Sequence, residues 1–212
     1  MTPGFSADSR LEDWRALSGR TFDLLVIGGG VTGAGVALVA ADRGLRTALV
    51  EQGDFGSGTS GRSSRLIHGG LRYLENGDFG LVFEASAERH RLLKLAPHLV
   101  RPLPFIFPVY EHGPVGYRKL QAGMWLYDFL ALFRNIKRHR MLNRKEALAA
   151  EPLLNPDGLK GGALYYDAAV DDARLALATA RAARRAGART VSYAEVTGFE
   201  FVQGRLAGAR AR

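Results

Sequence analysis

The chain has 212 residues, of which 47% are hydrophobic and 24% are charged. This composition is typical of a globular protein, and the length allows one large domain or two small ones. Because the sequence contains no cysteine, disulfides, thiolate metal sites and cysteine nucleophiles are excluded. Residues 1–20 lack the apolar segment of a secretory signal, so we expect a cytoplasmic location.

The formal net charge is +8. Much of the basic excess lies in residues 134–145 and 181–189, and we expect the latter to be a solvated helix face. The sequence has neither the aromatic motifs of RNA-binding domains nor zinc-finger spacing. We therefore expect no nucleic-acid partner, and we assign the basic side chains to anionic substrates or an anionic membrane surface.

Residues 1–20 are predicted to be a lead segment that precedes the main fold. Within it, Leu11, Trp14 and Leu17 are spaced as a short amphipathic turn that would pack against the body of the protein.

Residues 22–51 are the most informative segment. The four apolar residues 24–27 predict a parallel strand buried on both faces, and they lead directly into a glycine-rich turn. In a dinucleotide site Gly28 allows the tight turn, and Gly30 lets the backbone approach a diphosphate. Gly33 lets the following helix pack closely on the strand. The pattern predicts a dinucleotide-binding site; the alternative is a glycine turn that binds nothing.

The rest of this segment completes the dinucleotide pattern. Val31–Arg43 is predicted to be a helix ended by Gly44, with the positive end of its dipole facing the phosphates. Glu51 closes the second strand, where its carboxylate would accept ribose hydroxyls. The same charge would repel a 2′-phosphate.

The central part of the chain is predicted to contain one helix and one edge strand. Asp78 would cap a helix over residues 79–96 that Pro97 stops. Its inward residues would be Val82, Ala85, Leu92 and Leu93. Residues 102–110 are apolar but contain prolines, so we expect an edge strand or an extended segment.

Residues 117–138 are predicted to be helical, with an apolar centre too short to span a bilayer. The apolar residues are Trp125, Leu126, Phe129, Leu130 and Phe133. One interpretation buries this helix against the dinucleotide fold. The other places it at a membrane surface, with Trp125 and Phe129 on its apolar face. The cations that would meet anionic lipid are Arg134, Lys137, Arg138 and Arg140.

The remaining residues are predicted to form two helices and several strands. Asn143 and Glu146 form a capping-box-like start for a short helix, and Asp171 or Asp172 would cap a helix that runs to Ala186. Strands are predicted at residues 163–166, 190–193, 196–202 and 205–209, the last two joined at residues 203–204.

Residues 60–75 form a second informative segment, rich in hydroxyl groups and glycines. His68 is followed by two glycines, where backbone can approach a flat cofactor. Arg72 and Tyr73 then offer an anion clamp and a hydrogen-bonding phenol. The structural alternatives are an Arg72–Glu75 pair and a Tyr73 packed in the core. The other histidines show no ligand spacing and would be solvated or capped, so no metal site is predicted: His90, His98, His112 and His139.

These segments resemble FAD-dependent glycerol-3-phosphate dehydrogenases. The matching residues are Ile27-Gly-Gly-Gly-Val-Thr-Gly-Ala-Gly, Ala41-Asp-Arg-Gly44, Ser63-Ser-Arg-Leu-Ile-His-Gly-Gly-Leu-Arg-Tyr-Leu-Glu75, Ala96-Pro-His98 and Val170-Asp-Asp-Ala-Arg-Leu175. The resemblance implies an α/β fold: a Rossmann-like FAD-binding domain of the glutathione-reductase type, with part of an interleaved substrate or cap domain. It implies oxidation of sn-glycerol 3-phosphate to dihydroxyacetone phosphate, with quinone as electron acceptor, at the inner face of the cell membrane.

The resemblance also implies a division of the chain and a set of site residues. The lead segment would be residues 1–20, the FAD-binding part 21–98, the inserted substrate, cap or membrane-facing part 99–168, and the returning FAD-binding part 169–212. The diphosphate would contact Gly28, Gly30 and Gly33, and the adenosine ribose would contact Glu51. Further FAD contacts are expected from Thr59, Ser60, Ser63 and Ser64, and adenine would contact the main chain of Val196.

The residues expected near substrate and flavin are His68, Arg72 and Tyr73. His68 would be the base that removes the C2 hydroxyl proton as hydride leaves for the flavin. Arg72 would hold a phosphate oxygen or the developing oxyanion. Since the family is much longer, we expect the chain to be an N-terminal portion. The alternatives are a related FAD oxidase of the amino-acid-oxidase type and a non-catalytic FAD- or membrane-binding remnant.

Overall fold

A computed structural model describes residues 5–131 and 135–212, without the side chains of Arg72 and Glu75. In chain order the elements are α1 (Ala7–Gly19), β1 (Leu24–Ile27), α2 (Val31–Asp42), β2 (Thr47–Val50), a 3-10 helix (Thr59–Gly61), β3 (Leu66–Ile67), α3 (Leu71–Glu75), α4 (Phe79–Leu95), β4 (Val100–Tyr110), α5 (Tyr117–Leu130), β5 (Arg140–Asn143), α6 (Arg144–Ala150), β6 (Leu159–Val170), α7 (Asp172–Arg185), β7 (Arg189–Val191), β8 (Val196–Val202) and β9 (Arg205–Ala211).

The chain is an α/β protein that divides into two compact units. The first unit contains the residues up to 65 and residues 171–212, and the second contains residues 66–170. Residues 66–98, which the sequence groups with the FAD-binding part, lie in the second unit, where β3 pairs with β6. The assignment of the units to FAD and substrate stays a prediction.

The first unit is built on a parallel sheet with strand order β1-β2-β7. Helices α2 and α7 pack on it through small residues, so that Ala34, Ala37 and Ala180 are fully buried beside Leu49. The predicted βαβ unit is confirmed. The prediction that β1 is buried on both faces is wrong: Val26 packs against the core cluster formed with α2, whereas Leu25 and Ile27, which point to the other face of the strand, are 38% and 51% exposed.

Helix α1 is attached to the first unit by apolar contacts and by buried ion pairs. Trp14 and Leu17 pack as predicted against the core cluster at the ends of β2 and β7, but Leu11 is 46% exposed. The Asp13 carboxylate is fully buried and forms ion pairs with Arg184 (2.7 Å) and Arg189 (2.9 Å). The sequence predicts a solvated helix face over residues 181–189. For Arg184 and Arg189 this prediction is wrong, because both pair with the buried Asp13.

Strands β8 and β9 form an antiparallel hairpin at the C-terminal end. Gln203 and Gly204 join them with positive φ angles of 50° and 77°. Two successive residues in this conformation are typical of a two-residue hairpin turn, so the predicted connection is confirmed.

The second unit is built on an antiparallel sheet in which the long strand β6 is central. It pairs with β4 on one side and with β3 and β5 on the other. Strand β4 is therefore an edge strand, as its prolines predicted. Pro102, Pro104 and Pro108 are separated by even numbers of residues, so they lie on the same side of the strand. Their register partners are Ala168, Tyr166 and Gly162. Edge strands tolerate proline because one row of their N–H groups has no partner in the sheet.

Helices α4 and α5 of the second unit differ from their predictions in the residues that they bury. Asp78 caps α4 as expected, but the buried residues of α4 include Ser86 and Arg89 beside Val82. Helix α5 ends at Leu130, earlier than predicted, and residues 132–134, with Phe133 and Arg134, lie outside the described residues. Throughout the part that the structure describes, no helix is long and apolar enough to traverse a bilayer.

The exposed face of α5 carries large apolar side chains. Trp125 is 52% exposed and Phe129 is 62% exposed, whereas Met124, Tyr127 and Asp128 are buried. Trp125 and Phe129 therefore do not lie on the buried face of α5.

Candidate functional site

The glycine turn between β1 and α2 has the close packing that a dinucleotide site requires. Gly28 has a φ of +108°, in the left-handed region that favours glycine. A Cβ atom at Gly33 would overlap the carbonyl oxygen of Gly28, so α2 approaches the strand only because Gly33 lacks one. Gly30 is the N-cap of α2 and supplies no side-chain cap. Apart from the Val31 N–H, which donates to Ser60 Oγ, the N–H groups of the first turn of α2 therefore remain available to an anion.

Ser60 lies at the same helix end. Its Oγ accepts a hydrogen bond from the Val31 N–H at 3.0 Å. A Cβ atom at Gly30 would lie 2.9 Å from that oxygen, so a larger residue here would displace the Ser60 hydroxyl. The structure thus brings Ser60 to the turn formed by the three glycines.

Glu51 is held beside the turn by two backbone donors. The Gly29 N–H donates to Oε2 at 2.6 Å, and the Gly53 N–H donates to Oε1 at 2.8 Å. A carboxylate has about four acceptor positions, so both oxygens keep the capacity to accept ribose hydroxyls. The turn, the N-terminal end of α2 and this acceptor together fit the diphosphate and ribose of a dinucleotide.

The other predicted cofactor contacts lie elsewhere in the first unit. The Ser63 hydroxyl donates to the Asp172 carboxylate, while Thr59 and Ser64 are exposed. Val196 lines a groove of about 680 Å³ together with Trp14 and other residues. No hydrogen bond within the described ranges joins these residues to the glycine turn, and their cofactor roles stay predictions.

His68 and Tyr73 lie together in the second unit. His68 is exposed at the end of β3, and its ring centroid is 5.7 Å from that of Tyr73. Gly70, with a φ of +80°, lies under the Tyr73 ring, where a Cβ atom would come within 2.6 Å of Cδ2. The backbone of Arg72 lies in α3, but its side chain and that of Glu75 are outside the described part, so their pairing stays a prediction.

A buried polar cluster that was not predicted from the sequence lies behind His68. The Arg89 side chain is 1% exposed and forms an ion pair with Asp167. Arg89 Nη1 also donates to the Tyr127 hydroxyl at 3.0 Å and to the Tyr166 carbonyl at 3.2 Å. Asp167 Oδ1 accepts the Gly69 N–H at 2.8 Å. Burial raises the pKa of Tyr127 to about 12, so its phenol is neutral at physiological pH.

The cluster continues from Arg89 to helix α5. The other terminal nitrogen of Arg89 donates to Asn135, whose amide donates to Asp128 at 2.6 Å. Nδ1 of His139 lies 2.8 Å from the same carboxylate. The His139 side chain is only 5% exposed and its ring meets Trp125 edge-on, so His139 is neither a solvated residue nor a cap. Asp128 within an apolar helix was the one available sequence signal. Among the described residues no group of three acidic or histidine side chains forms a metal site.

Comparison with known proteins gives consistent matches along the chain. Residues 23–212 match the family described as FAD dependent oxidoreductase. The chain is 46% identical to a glycerol-3-phosphate dehydrogenase of Synechocystis over 191 residues, which are 90% of this chain and 34% of the relative. It is 40% identical to the aerobic glycerol-3-phosphate dehydrogenase of Bacillus subtilis over 208 residues, which are 98% of this chain and 38% of the relative.

Solved structures give the same picture. The X-ray structure of the Bacillus halodurans glycerol-3-phosphate dehydrogenase complexed with FAD aligns with a TM-score of 0.75 at 35% identity. The alignment covers 99% of this chain and 34% of that one. An L-proline dehydrogenase from P. horikoshii, with a TM-score of 0.69 at 21% identity over 91% of this chain and 49% of its own, shares the fold. The chain spans about a third of the length of the curated relatives that it matches. On the match of residues 23–212, the chain belongs to the FAD dependent oxidoreductase family.

Proposed function

We propose that this chain binds FAD and belongs to a glycerol-3-phosphate dehydrogenase that oxidises sn-glycerol 3-phosphate to dihydroxyacetone phosphate. The observation that carries the proposal is the tight Gly28–Gly33 turn at the N-terminus of α2, where the N-cap Gly30 supplies no side-chain cap. The substrate is proposed from the relatives, since those with 40–46% identity are named glycerol-3-phosphate dehydrogenases.

Residues of the first unit would hold the cofactor. The diphosphate would lie against the first N–H groups of α2, where the dipole favours negative charge. Glu51, already fixed by two backbone donors, would accept the adenosine ribose hydroxyls without further ordering. FAD, when bound, supplies the acceptor for the two electrons that leave the substrate.

Residues of the second unit would act on the substrate. His68 would take the proton of the C2 hydroxyl, and its exposed ring is accessible to a small polar molecule. The Tyr73 ring would limit the rotation of the imidazole through their contact. Arg72 would bind the phosphate, since a guanidinium pairs well with phosphate oxygens.

We further propose peripheral binding to the cytoplasmic face of the cell membrane, with quinone as electron acceptor. Support comes from Trp125 and Phe129, which are more than half exposed on α5, and from Lys137 and Arg140, which follow in the sequence. Exposed aromatics next to cations are typical of interfacial binding. Replacing Trp125 and Phe129 with serine should reduce co-sedimentation with anionic vesicles, while Leu153→Ser should not.

One experiment tests the cofactor and the substrate together. The purified chain is titrated with FAD, and glycerol 3-phosphate is then added without oxygen while the visible flavin absorbance is followed. We expect bound flavin that glycerol 3-phosphate bleaches and glycerol does not. Bound flavin that no substrate bleaches indicates a binding module instead. Bleaching by an amino acid, with peroxide formed in air, indicates an oxidase.

A further inference from the structure

We propose that Arg89 and Asp167 are positioning residues for the proposed reaction, acting on His68 through the Gly69 peptide. The inference rests on the proposed function, because it takes His68 as the base. It adds two buried residues that lie about 20 and 100 positions beyond His68 in the sequence.

The first step of the argument is that Gly69 is held on both sides of its backbone. Its N–H donates to Asp167 Oδ1 at 2.8 Å, and its carbonyl accepts the Ser86 hydroxyl at 3.3 Å. All three residues are buried, so water cannot replace either partner. Since Gly69 directly follows His68, fixing this peptide limits the backbone directions from which the imidazole can project.

The second step is that the turn is packed directly against the cluster. A Cβ atom at Gly69 would overlap the Tyr127 hydroxyl and would lie 2.5 Å from Arg89 Nη1. Any shift of Arg89 or Tyr127 therefore changes the space into which the His68 turn fits.

The third step is that Arg89 itself has little freedom to move. One terminal nitrogen contacts Asp167, Tyr127 and the Tyr166 carbonyl, and the other contacts Asn135. Because Nη1 has two hydrogens for three acceptors, at least one hydrogen is shared, and a planar guanidinium reaches all four acceptors only in a narrow range of orientations. Arg89 therefore holds the Asp167 carboxylate in place, and the other contacts of Arg89 hold its guanidinium in place.

The fourth step concerns why a charged pair is buried here. Two desolvated charges are often no better for stability than a well-packed apolar pair. A buried pair of this kind is understandable if it holds the backbone at Gly69 in one conformation. The residue that needs this fixed backbone is His68, because a base must be oriented toward the proton that it removes.

The test uses Asp167→Asn and Arg89→Lys in the 212-residue chain, with Glu111→Gln as control. Glu111 forms an exposed ion pair with Lys160 in the same unit, so the control removes a charge without touching the cluster. The first readout needs no cofactor: hydrogen exchange of the Gly69 amide and the NMR resonances of the His68 imidazole. The second readout is the rate of flavin reduction by glycerol 3-phosphate and its substrate dependence.

We expect Gly69 exchange about tenfold faster and shifted His68 resonances in both variants, but not in the control. We also expect flavin reduction at saturating substrate to fall by about tenfold to 100-fold, with the half-saturating concentration nearly unchanged. Unchanged Gly69 exchange and His68 resonances overturn the proposal. So does changed exchange with an unchanged reduction rate, because the pair is then only structural.

Two further outcomes remain decisive. If the unsubstituted chain is not reduced by glycerol 3-phosphate, the proposed function fails, and the NMR readout alone decides whether the pair positions His68. If Asp167→Asn and Arg89→Lys do not fold, Tyr127→Phe gives the same comparison, because it removes only the hydroxyl that faces Arg89 and Gly69.

Discussion

Two glycines of the same helix have opposite roles at the scale of single residues. Gly33 and Gly35 both lie in α2, two positions apart. A Cβ atom at Gly33 would overlap the Gly28 carbonyl, whereas a Cβ atom at Gly35 would have no neighbour within 4 Å. The closeness of α2 to β1 therefore depends on Gly33, while Gly35 lowers helix propensity without serving a contact.

Alanine at the two positions should change the protein in opposite directions. Gly33→Ala should lower the free energy of unfolding by about 1–3 kcal/mol, because the helix must move away from the strand. It should also weaken FAD binding. Gly35→Ala should raise the free energy of unfolding by about 0.5–1 kcal/mol. Denaturant unfolding and flavin titration of both variants test this, and equal effects at the two positions would contradict it.

Helix α1 shows at the scale of elements how a short segment is fixed to the body by one carboxylate. Asp13 accepts hydrogen bonds from Arg184, Arg189 and the Thr190 N–H. Arg184 lies on α7 and Arg189 on β7, so a single side chain connects three elements.

Removing this carboxylate should be costly. We expect Asp13→Ala to lower the free energy of unfolding by about 3–5 kcal/mol, because the buried Arg184 loses an anionic partner. The exposed neighbour Glu12 is the matched control, and Glu12→Ala should change stability by about 0.5 kcal/mol or less. Chemical denaturation measures both, and a small effect of Asp13→Ala would show that α1 is held by its apolar contacts.

The elements that the sequence predicted well are those encoded by neighbouring residues. The Asp78 cap, the Asn143–Glu146 capping box and the hairpin turn at residues 203–204 each depend on positions within a few residues of one another. The glycine turn and Glu51 belong to the same class, since their spacing along one βαβ unit determines their geometry.

What the sequence did not predict depends on partners far apart in the chain. Arg89 and Asp167 are 78 positions apart, and Asp13 and Arg184 are 171 apart. Hydrophobic spacing left two interpretations of α5 open, because it did not show that the buried face includes the polar Asp128 while Trp125 is 52% exposed. A helix that buries a charged network does not follow the usual amphipathic pattern.

The apolar surface of the β8–β9 hairpin is the feature that matters at the scale of the whole molecule. Phe201 and Leu206 are register partners and are 65% and 63% exposed, and Phe199 is 49% exposed. Exposed apolar residues on a two-stranded ribbon with free edges favour pairing between chains. We therefore expect the chain to self-associate through this hairpin as its concentration rises.

Polar substitutions should distinguish association through the β8–β9 hairpin from nonspecific hydrophobic association. Replacing Phe201 with threonine and Leu206 with lysine should shift sedimentation velocity profiles toward the monomer at concentrations where the unsubstituted chain associates. Leu153 is the matched control, because it is 93% exposed but lies in a turn without a strand edge. Leu153→Lys adds the same charge and also removes an exposed apolar side chain. If it disperses the oligomers equally well, net charge rather than the hairpin edge controls association.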